Sequence, residues 1–284
     1  NSTKGSNLEL FLYSLSNHDW KHIELIGSSI IPRSNHRAVA ISKEDQAFIY
    51  VFGGISGSKL DPNILYICLS GDCASCSTIE CEGSEFPCGR CDHSMILATD
   101  RELSSQSQIR SPSFNQDSNL NPFELTESTN DDFEHPDFPV RILVFGGIIP
   151  DQTSKSGKVL GDLWKLEIRA PYDIPRWTLI SQDGPPSRYS HSSFYRNGQF
   201  YIAGGYGADN QPYRDVWRYT FGFGWEQIAI FNNTIYYNLL GSSKYGFLAF
   251  CHETGKVSST PISLDDTPLF VKPIEMAPGL ALLA

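Results

Sequence analysis

The stretch RYSHSSFYRNGQFYIAGG, residues 188–205, decides the fold, because its order of residue types occurs twice earlier in the chain. It joins an Arg-x-x-His phrase to an apolar run that ends in a glycine pair. The phrase also begins at Arg33 and at Arg90, and the matching glycine pairs are Gly53-Gly54 and Gly146-Gly147. Repetition of one order at intervals of tens of residues is typical of a repeat architecture. We call the segments that begin at Arg33, Arg90 and Arg188 the first, second and third repeats.

Aromatic residues continue the pattern after each glycine pair. A Tyr or Trp follows within a short apolar run, and two of the three copies then reach a second Trp; these residues are Tyr66, Trp164 and Trp217, then Trp177 and Trp225. The runs before the glycine pairs are rich in aromatic and β-branched residues, which favours strands over helices. No convincing amphipathic helix is present, so the sequence predicts an all-β fold.

The order of Arg-x-x-His, apolar strand, glycine pair and aromatic strands resembles the kelch repeat. That family forms β-propellers in which each repeat is a blade of four strands. Three copies match over about residues 30–230, and residues 231–275 match at best as a degenerate copy without a glycine pair. The first copy departs from the pattern, because cysteines stand where the others have the second Trp. We interpret the glycine pairs as sites where neighbouring blades approach closely.

Both ends of the chain carry strand-like segments. Residues 8–13 and 20–25 resemble the last two strands of a blade, and kelch propellers often close by pairing strands from both termini, which leaves no open edge. The resemblance therefore implies a kelch-type β-propeller of about five four-stranded blades, with six as the alternative, closed by strands from both termini. We predict that residues 1–284 form one domain.

An insertion separates the second Arg-x-x-His phrase from its glycine pair, at about residues 99–138. Its centre, residues 104–130, is rich in Ser, Asn and Gln and poor in apolar residues. Such a stretch cannot bury enough surface to offset its ordering entropy, so we predict a flexible low-complexity loop. It is either an unselected expansion or a regulated docking tail.

Composition excludes several classes of function. The net charge of −10 argues against general nucleic-acid binding, which needs clustered Lys and Arg. No run of about 18 apolar residues is present, so we predict no membrane span. The odd number of cysteines, 7, favours a reducing compartment, and we expect a cytoplasmic protein.

Cysteine spacing suggests an alternative centred on a metal. Cys73-x-x-Cys76 and Cys88-x-x-Cys91 resemble the ligand spacing of a zinc site. If residues 76–81 form an outer strand, however, the two pairs lie about 17 Å apart at its opposite ends. Zinc–sulfur bonds are only about 2.3 Å long. The four cysteines are therefore interpreted as free or incidentally paired thiols, as zinc ligands if that strand is absent or bent, or as disulfides.

The polar residues of the repeated phrase occupy equivalent positions. Each histidine, His36, His93 or His191, is expected in its own repeat, with a structural role and hydrogen bonds to neighbouring backbone. Arg33, Arg90 and Arg188 lie between repeats, and two interpretations stay open for them. They tie adjacent blades together, as the resemblance implies, or they recognise an acidic peptide through bidentate contacts.

A partner-binding face follows from the resemblance. Loops after the glycine pairs share a face with the loops between blades, and in related kelch modules that face usually binds the partner. Exposed aromatic and cationic residues in these loops suit such a contact. The candidates are Arg33, Lys59, Arg90, Arg188, Tyr189, Tyr206 and Tyr213.

Catalytic motifs are missing from the sequence. It contains no Gly-x-Ser-x-Gly elbow and no Gly-x-x-x-x-Gly-Lys loop, so we predict that the protein is not an enzyme and needs no cofactor. The leading hypothesis is a protein-interaction scaffold or adaptor that binds a partner peptide or domain, within a larger multidomain protein. The alternative is a metal-dependent enzyme or zinc-stabilised domain centred on Cys73, Cys76, Cys88 and Cys91.

Overall fold

The computed structural model describes residues 9–14, 16–27, 32–43, 46–71, 73–98, 139–151, 157–169, 173–230, 237–243, 246–251, 256–260 and 273–274. Every helix or strand assigned within these ranges is a β-strand, which confirms the predicted all-β fold. The insertion expected at about residues 99–138 lies outside the described residues.

The described chain begins with an antiparallel hairpin, β1 (Leu10–Ser14) and β2 (Asp19–Gly27). The first repeat then forms an antiparallel sheet of β3 (Ser34–Lys43), β4 (Gln46–Ser56), β6 (Ile64–Ser70) and β7 (Cys73–Ile79). A two-residue strand, β5 (Lys59–Leu60), pairs with the end of β4. The hairpin extends this sheet at its outer edge, because β2 pairs in parallel with β7.

The second and third repeats each form one antiparallel four-stranded sheet whose strands are neighbours in chain order. The second sheet consists of β8 (Ser94–Ala98), β9 (Val140–Ile149), β10 (Lys158–Ile168) and β11 (Arg176–Ser181). The third consists of β12 (Ser192–Arg196), β13 (Gln199–Ala203), β14 (Asp215–Thr220) and β15 (Gly224–Ile230). The glycine pair directly follows the second strand of the third repeat, and it lies within the last four residues of β4 and of β9 in the first and second repeats.

The degenerate copy also forms a four-stranded antiparallel sheet. Its strands are β16 (Tyr237–Ser243), β17 (Gly246–Cys251), β18 (Lys256–Thr260) and β19 (Pro273–Ile274). The sequence indicates strands at residues 234–240, 245–251 and 269–274, which overlap β16, β17 and β19, but it does not indicate β18, whose composition of Lys, Val, Ser and Thr carries little apolar signal.

Neighbouring sheets pack against one another through their first strands and their faces. β3 contacts β8, β8 contacts β12, and β12 contacts β16. Between the first two sheets, the Phe52 ring packs against Trp177 with centroids 5.3 Å apart. Between the next two, Phe145 packs against Phe200 at 6.4 Å. Each sheet therefore covers an apolar face of the sheet before it.

The ends of the chain differ from the expected pairing. We expected C-terminal strands to complete the sheet begun by residues 8–25. Instead β2 pairs with β7, and β16–β19 form a sheet of their own within the described ranges. The physical reason lies in the first sheet, whose outer face is apolar. Ile23 of β2 is buried against that face, in a cluster with Val51, Leu65 and Ile67.

Candidate functional site

The arginines of the second and third repeats bind aspartates in the sheets that follow them. Arg90 donates to both carboxylate oxygens of Asp162, at 2.6 and 2.9 Å, and to the Gly146 carbonyl at 3.1 Å. Arg188 donates in the same way to Asp215, at 2.7 and 2.9 Å, and to the Gly204 carbonyl at 3.0 Å. Both arginines are fully buried. Two parallel charge-assisted hydrogen bonds give such a pair both strength and a fixed geometry.

The aspartates stay ionised in these buried pairs. Burial alone would raise the pKa of Asp162, but the hydrogen bonds and charge of Arg90 outweigh it and lower that pKa. The pKa of Asp215 is lowered for the same reason by Arg188. An indole N–H adds to each effect, since Trp164 donates to Asp162 at 2.6 Å. The pairs therefore carry full charges that neutralise each other inside the protein.

The first repeat has a weaker version of this arrangement. Arg33 donates to one oxygen of Asp61 at 2.7 Å and to the Gly53 carbonyl at 3.2 Å. The other oxygen of Asp61 accepts from the backbone and side-chain N–H groups of Asn63. The Asp61 side chain is 35% exposed, against 20% for Asp162, so water screens this pair more.

The same arginines join adjacent repeats through their backbone. The Gly54 N–H donates to the Arg90 carbonyl at 2.8 Å, and the Gly147 N–H donates to the Arg188 carbonyl at 2.8 Å. Gly146 has a φ of +63°, and a Cβ there would lie 2.6 Å from the Arg188 carbonyl oxygen. Glycine is needed at this position for both its conformation and its close contact with the next repeat.

These contacts bear on the two interpretations of the arginines. Arg90 and Arg188 have no exposed surface, and their fork of donors is occupied by Asp162 and Asp215. Arg33 is 7% exposed and paired with Asp61. A partner peptide could reach these guanidinium groups only by breaking the pairs, so we exclude the three arginines from the proposed contact surface.

The histidines differ in their hydrogen bonding. His36 Nδ1 lies 3.2 Å from the Arg33 carbonyl, and His191 Nε2 lies 2.9 Å from the Ser94 hydroxyl. Neither ring nitrogen of His93 has a partner. Burial lowers the pKa of His93 to about 3 and the pKa of His191 well below its ordinary value, so both rings are neutral near pH 7. Each packs edge-on against the phenylalanine before the preceding glycine pair, as His93 does against Phe52 at 5.3 Å.

The third residue of each Arg-x-x-His phrase links the repeats in series. Asn35, Asp92 and Ser190 have left-handed backbone conformations, with φ of 58°, 54° and 52°. The Asp92 N–H donates to the Asn35 carbonyl at 3.1 Å, and the Ser190 N–H donates to the Asp92 carbonyl at 2.8 Å. The Asn35 side-chain amide also donates to the Asp92 carboxylate at 3.1 Å. This series fixes the spacing of successive repeats.

Three of the predicted partner-binding residues lie together on the third repeat. The rings of Tyr189 and Tyr206 stack with centroids 5.7 Å apart, and their backbones exchange hydrogen bonds of 3.0 and 2.9 Å. The buried Arg188 guanidinium lies 4.4 Å from the centre of the Tyr213 ring. The Tyr189 hydroxyl donates to the Asn210 side chain. All three tyrosines are half-buried, and we call them the tyrosine cluster.

The remaining predicted contact residue is separate from this cluster. Lys59 is exposed on β5, in the hairpin after the first glycine pair. The hairpin of β4 and β5 occupies the position in the first repeat that residues 206–214 occupy in the third. Lys59 therefore lies on the loop equivalent to the one that carries Tyr206 and Tyr213.

The cysteines predicted as alternative zinc ligands occupy separate surroundings. β7 is a continuous strand from Cys73 to Ile79 and pairs with β6 along its whole length. Cys73 and Cys88 are exposed, whereas Cys76 and Cys91 are buried, and all four are free thiols. Burial, with a contribution from Asp92, raises the pKa of the Cys91 thiol to about 11. In the described part of the chain, no three His, Cys, Asp or Glu residues gather as a metal site.

Sequence reasoning missed the aspartate partners of the arginines. Asp61, Asp162 and Asp215 lie far from the arginines along the chain, so local spacing does not connect them. A weak signal exists, because Asp162 and Asp215 each stand two residues before the Trp of the third strand. The first repeat breaks that signal, since Asp61 precedes its strand by three residues and no Trp follows.

Comparison with known proteins gives a structural likeness. No protein-family model and no curated protein matches the chain. Among solved structures, a chain in a cryo-EM structure of RAG, in complex with one melted RSS and one unmelted RSS, is similar to it. The two share 12% identity with a TM-score of 0.56, over 95% of this chain and 78% of that one. At this identity the likeness shows a shared fold. The described residues include no helix able to cross a membrane.

Proposed function

We propose that the chain is a kelch-type β-propeller in which the three repeats and the degenerate copy form successive blades around one axis. Support comes from the repeated arginine–aspartate pairs, from the glycine pairs that contact the next repeat, and from the contacts between first strands in chain order. Sheets that are alike and joined in this way are related by nearly the same rotation, and repeated rotation about one axis arranges the blades in a ring.

The function that we propose is non-enzymatic binding of a protein partner on the face that carries the tyrosine cluster. The observation that carries it is the stacking of Tyr189 on Tyr206 above a hydrogen-bonded backbone. Half-exposed aromatic rings that are already ordered lose little entropy when a partner covers them. Tyrosine is also among the residues that most often dominate the energy of protein interfaces.

The chemistry of the cluster favours a peptide or domain over a small molecule. Stacked phenol rings offer a flat apolar surface with hydroxyl groups at its edge, which suits a partner side chain with both apolar and polar atoms. Exposed Lys59 on the equivalent loop of the first repeat adds a cation to the same proposed face. We further propose that the propeller serves as an adaptor within a larger polypeptide, and its cytoplasmic localisation stays a prediction.

A capture experiment tests this function. The parent protein, Tyr206→Ala and Tyr189→Ala would each be immobilised and exposed to native extract, and the bound proteins compared by quantitative mass spectrometry. Phe223→Ala is the matched control, because Phe223 is 91% exposed in the β14–β15 turn, at the other end of the same sheet.

We expect a set of proteins that the parent and Phe223→Ala retain equally and that both tyrosine variants lose. Unfolding in urea would establish that the variants are folded under the capture conditions. Equal retention by all four proteins would refute a contact at the tyrosine cluster, and retention lost in Phe223→Ala alone would place the partner at the opposite end.

A further inference from the structure

The residue that follows each repeated histidine differs between repeats. In the second repeat it is Ser94, which is buried and whose hydroxyl meets Nε2 of His191 in the next repeat at 2.9 Å. In the first repeat the same position is occupied by Arg37. Arg37 pairs with Phe52 across β3 and β4, as Ser94 pairs with Phe145 across β8 and β9, and His93 packs on Phe52 as His191 packs on Phe145. Residue 37 therefore lies on the face of the first sheet against which His93 packs.

His93 lacks a hydrogen bond like the one between His191 and Ser94. It has no exposed surface, and neither of its ring nitrogens has a partner. Its Cε1 atom lies against Gly53 as the Cε1 atom of His191 lies against Gly146, so Nε2 of His93 corresponds to the nitrogen of His191 that meets Ser94. A guanidinium has donors only, so Arg37 cannot accept from an imidazole N–H, and it makes no hydrogen bond to either ring nitrogen. An unpaired buried donor costs about 1–3 kcal/mol.

Arg37 is itself a cation without a carboxylate. It is exposed, and its guanidinium donates to the His36 carbonyl at 3.3 Å. It forms no ion pair with any residue that the structure describes, in contrast to the arginines of the repeated phrase. The charge of Arg37 nevertheless acts on both buried rings, since it contributes, after burial, to the lowered pKa of His93 and of His191.

We propose that Arg37 and His93 bind one oxyanion, a carboxylate or a phosphate, where β3 contacts β8. The anion would neutralise the guanidinium and accept the imidazole N–H, and it would therefore supply what Ser94 supplies to His191. The carboxylate that directly precedes His93 in the sequence, that of Asp92, already accepts from the Asn35 amide at 3.1 Å. The site does not involve the tyrosine cluster and does not depend on the function proposed above.

Two probes separate the sources of the oxyanion. Equilibrium dialysis at low ionic strength would measure binding of radiolabelled inorganic phosphate, and fluorescence anisotropy would measure binding of a labelled hexaglutamate peptide. The variants are Arg37→Gln and Arg37→Lys. Arg169→Gln is the matched control, because Arg169 is also an exposed arginine and its side chain is 58% exposed near Glu167.

We expect one phosphate or one peptide per protein, with affinity reduced about ten-fold or more by Arg37→Gln, less by Arg37→Lys, and unchanged by Arg169→Gln. Binding of phosphate alone would identify a free ion as the ligand class, and binding of the peptide alone would identify a polymer-borne carboxylate. Equal binding by the parent and Arg37→Gln, an equal loss in Arg169→Gln, or no binding of either probe would overturn the proposal.

A direct readout avoids substitution altogether. Long-range proton–nitrogen NMR spectra of the parent protein would report the Nε2 resonance of His93, which should shift on adding phosphate while that of His191 stays constant. Unchanged His93 resonances at saturating phosphate would contradict the assigned ligand.

Discussion

The first repeat is held together differently from the second and third. Its arginine meets one oxygen of a partly exposed aspartate, whereas Arg90 and Arg188 are fully buried and meet both oxygens of theirs. Its outer strand has no Trp, whereas Trp177 of the second repeat packs on Phe52 of the first. Among the described residues, the hairpin β1–β2 packs on the face of the first sheet that carries Val51, Leu65 and Ile67.

The difference between the repeats shows that the residue in the outer strand depends on which sheet packs against it. A Trp in the outer strand is useful only where a preceding sheet supplies a phenylalanine for it to contact, as Phe145 does for Trp225 at 5.2 Å. In the described part of the chain, the first outer strand has Cys76 buried in one cluster with Ile23 of β2, where the other outer strands have a Trp that contacts the preceding sheet.

The largest expected difference concerns the buried ion pairs. Asp162→Asn leaves the Arg90 guanidinium buried without a counter-charge, and we expect it to reduce the free energy of unfolding by about 3–5 kcal/mol. Asp61→Asn in the first repeat should cost about 1 kcal/mol or less, because that pair is exposed to water. Urea unfolding followed by circular dichroism measures both. Equal losses would show that the two pairs do not differ in strength.

The next effect concerns the aromatic contact between repeats. Trp177 is 3% exposed and packs against Phe52 and Trp164, so Trp177→Ala should reduce stability by about 3 kcal/mol. Trp225 is half-buried, and Trp225→Ala should cost less, since water already reaches part of its ring. The same unfolding experiment ranks the two. A larger loss for Trp225→Ala would contradict the role assigned to Trp177.

A smaller effect is expected for the hairpin that covers the first repeat. Ile23 is 1% exposed on β2, so Ile23→Ala should reduce the free energy of unfolding by about 2 kcal/mol. Ile26 lies on the same strand but is 57% exposed, and Ile26→Ala should change stability by about 0.5 kcal/mol or less. Equal, small effects of both substitutions would show that the hairpin does not contribute to covering this sheet.

The last comparison concerns the buried histidines, whose contribution to stability depends on pH. The folded-state pKa of His93 is lowered to about 3, so below its unfolded pKa near 6.5 the unfolded chain binds a proton that the folded protein excludes. Stability should therefore fall as pH drops below 6.5, by at most about 1.4 kcal/mol per pH unit for each such histidine.

Substitutions show which repeat causes this dependence of stability on pH. His93→Gln should flatten the dependence of stability on pH between about 6.5 and 4, and half-buried His36 in the first repeat should contribute less. The ionised Asp162 and Asp215 act in a separate window, because a lowered carboxyl pKa makes stability fall only below about pH 4. An unchanged slope in His93→Gln would contradict the neutral buried ring.

Local sequence patterns predict where the strands lie but not which distant residues pair with each other. Apolar runs and glycine pairs predicted the position of β4, β9 and β13, because burial on two faces leaves few polar residues in a strand. Arg90 and Asp162 are 72 positions apart, with the whole insertion between them, so no local spacing in the sequence indicates that they pair. The parallel pairing of β2 with β7 was also missed, since it depends on which edge the fold leaves open.

The candidate surface was predicted in part. Tyr189, Tyr206 and Tyr213 were expected on one face because loops of equivalent position come together, and the structure places them in one cluster. The arginines were grouped with them because a sequence does not distinguish an exposed guanidinium from a buried one. That distinction rests on an aspartate placed by a different strand, as Asp215 is for Arg188.

The left-handed residues Asn35, Asp92 and Ser190 have a consequence for how this protein can diverge. They fix one repeat to the next through main-chain atoms, which every amino acid except proline supplies, and their left-handed φ favours Asn, Asp and Gly. The preceding positions, Ser34, Cys91 and Tyr189, pair through backbone as well, with Ile55, Ile148 and Tyr206. Side chains at the rim can thus be exchanged by mutation while the stacking geometry persists, and new binding specificities can arise on an unchanged frame.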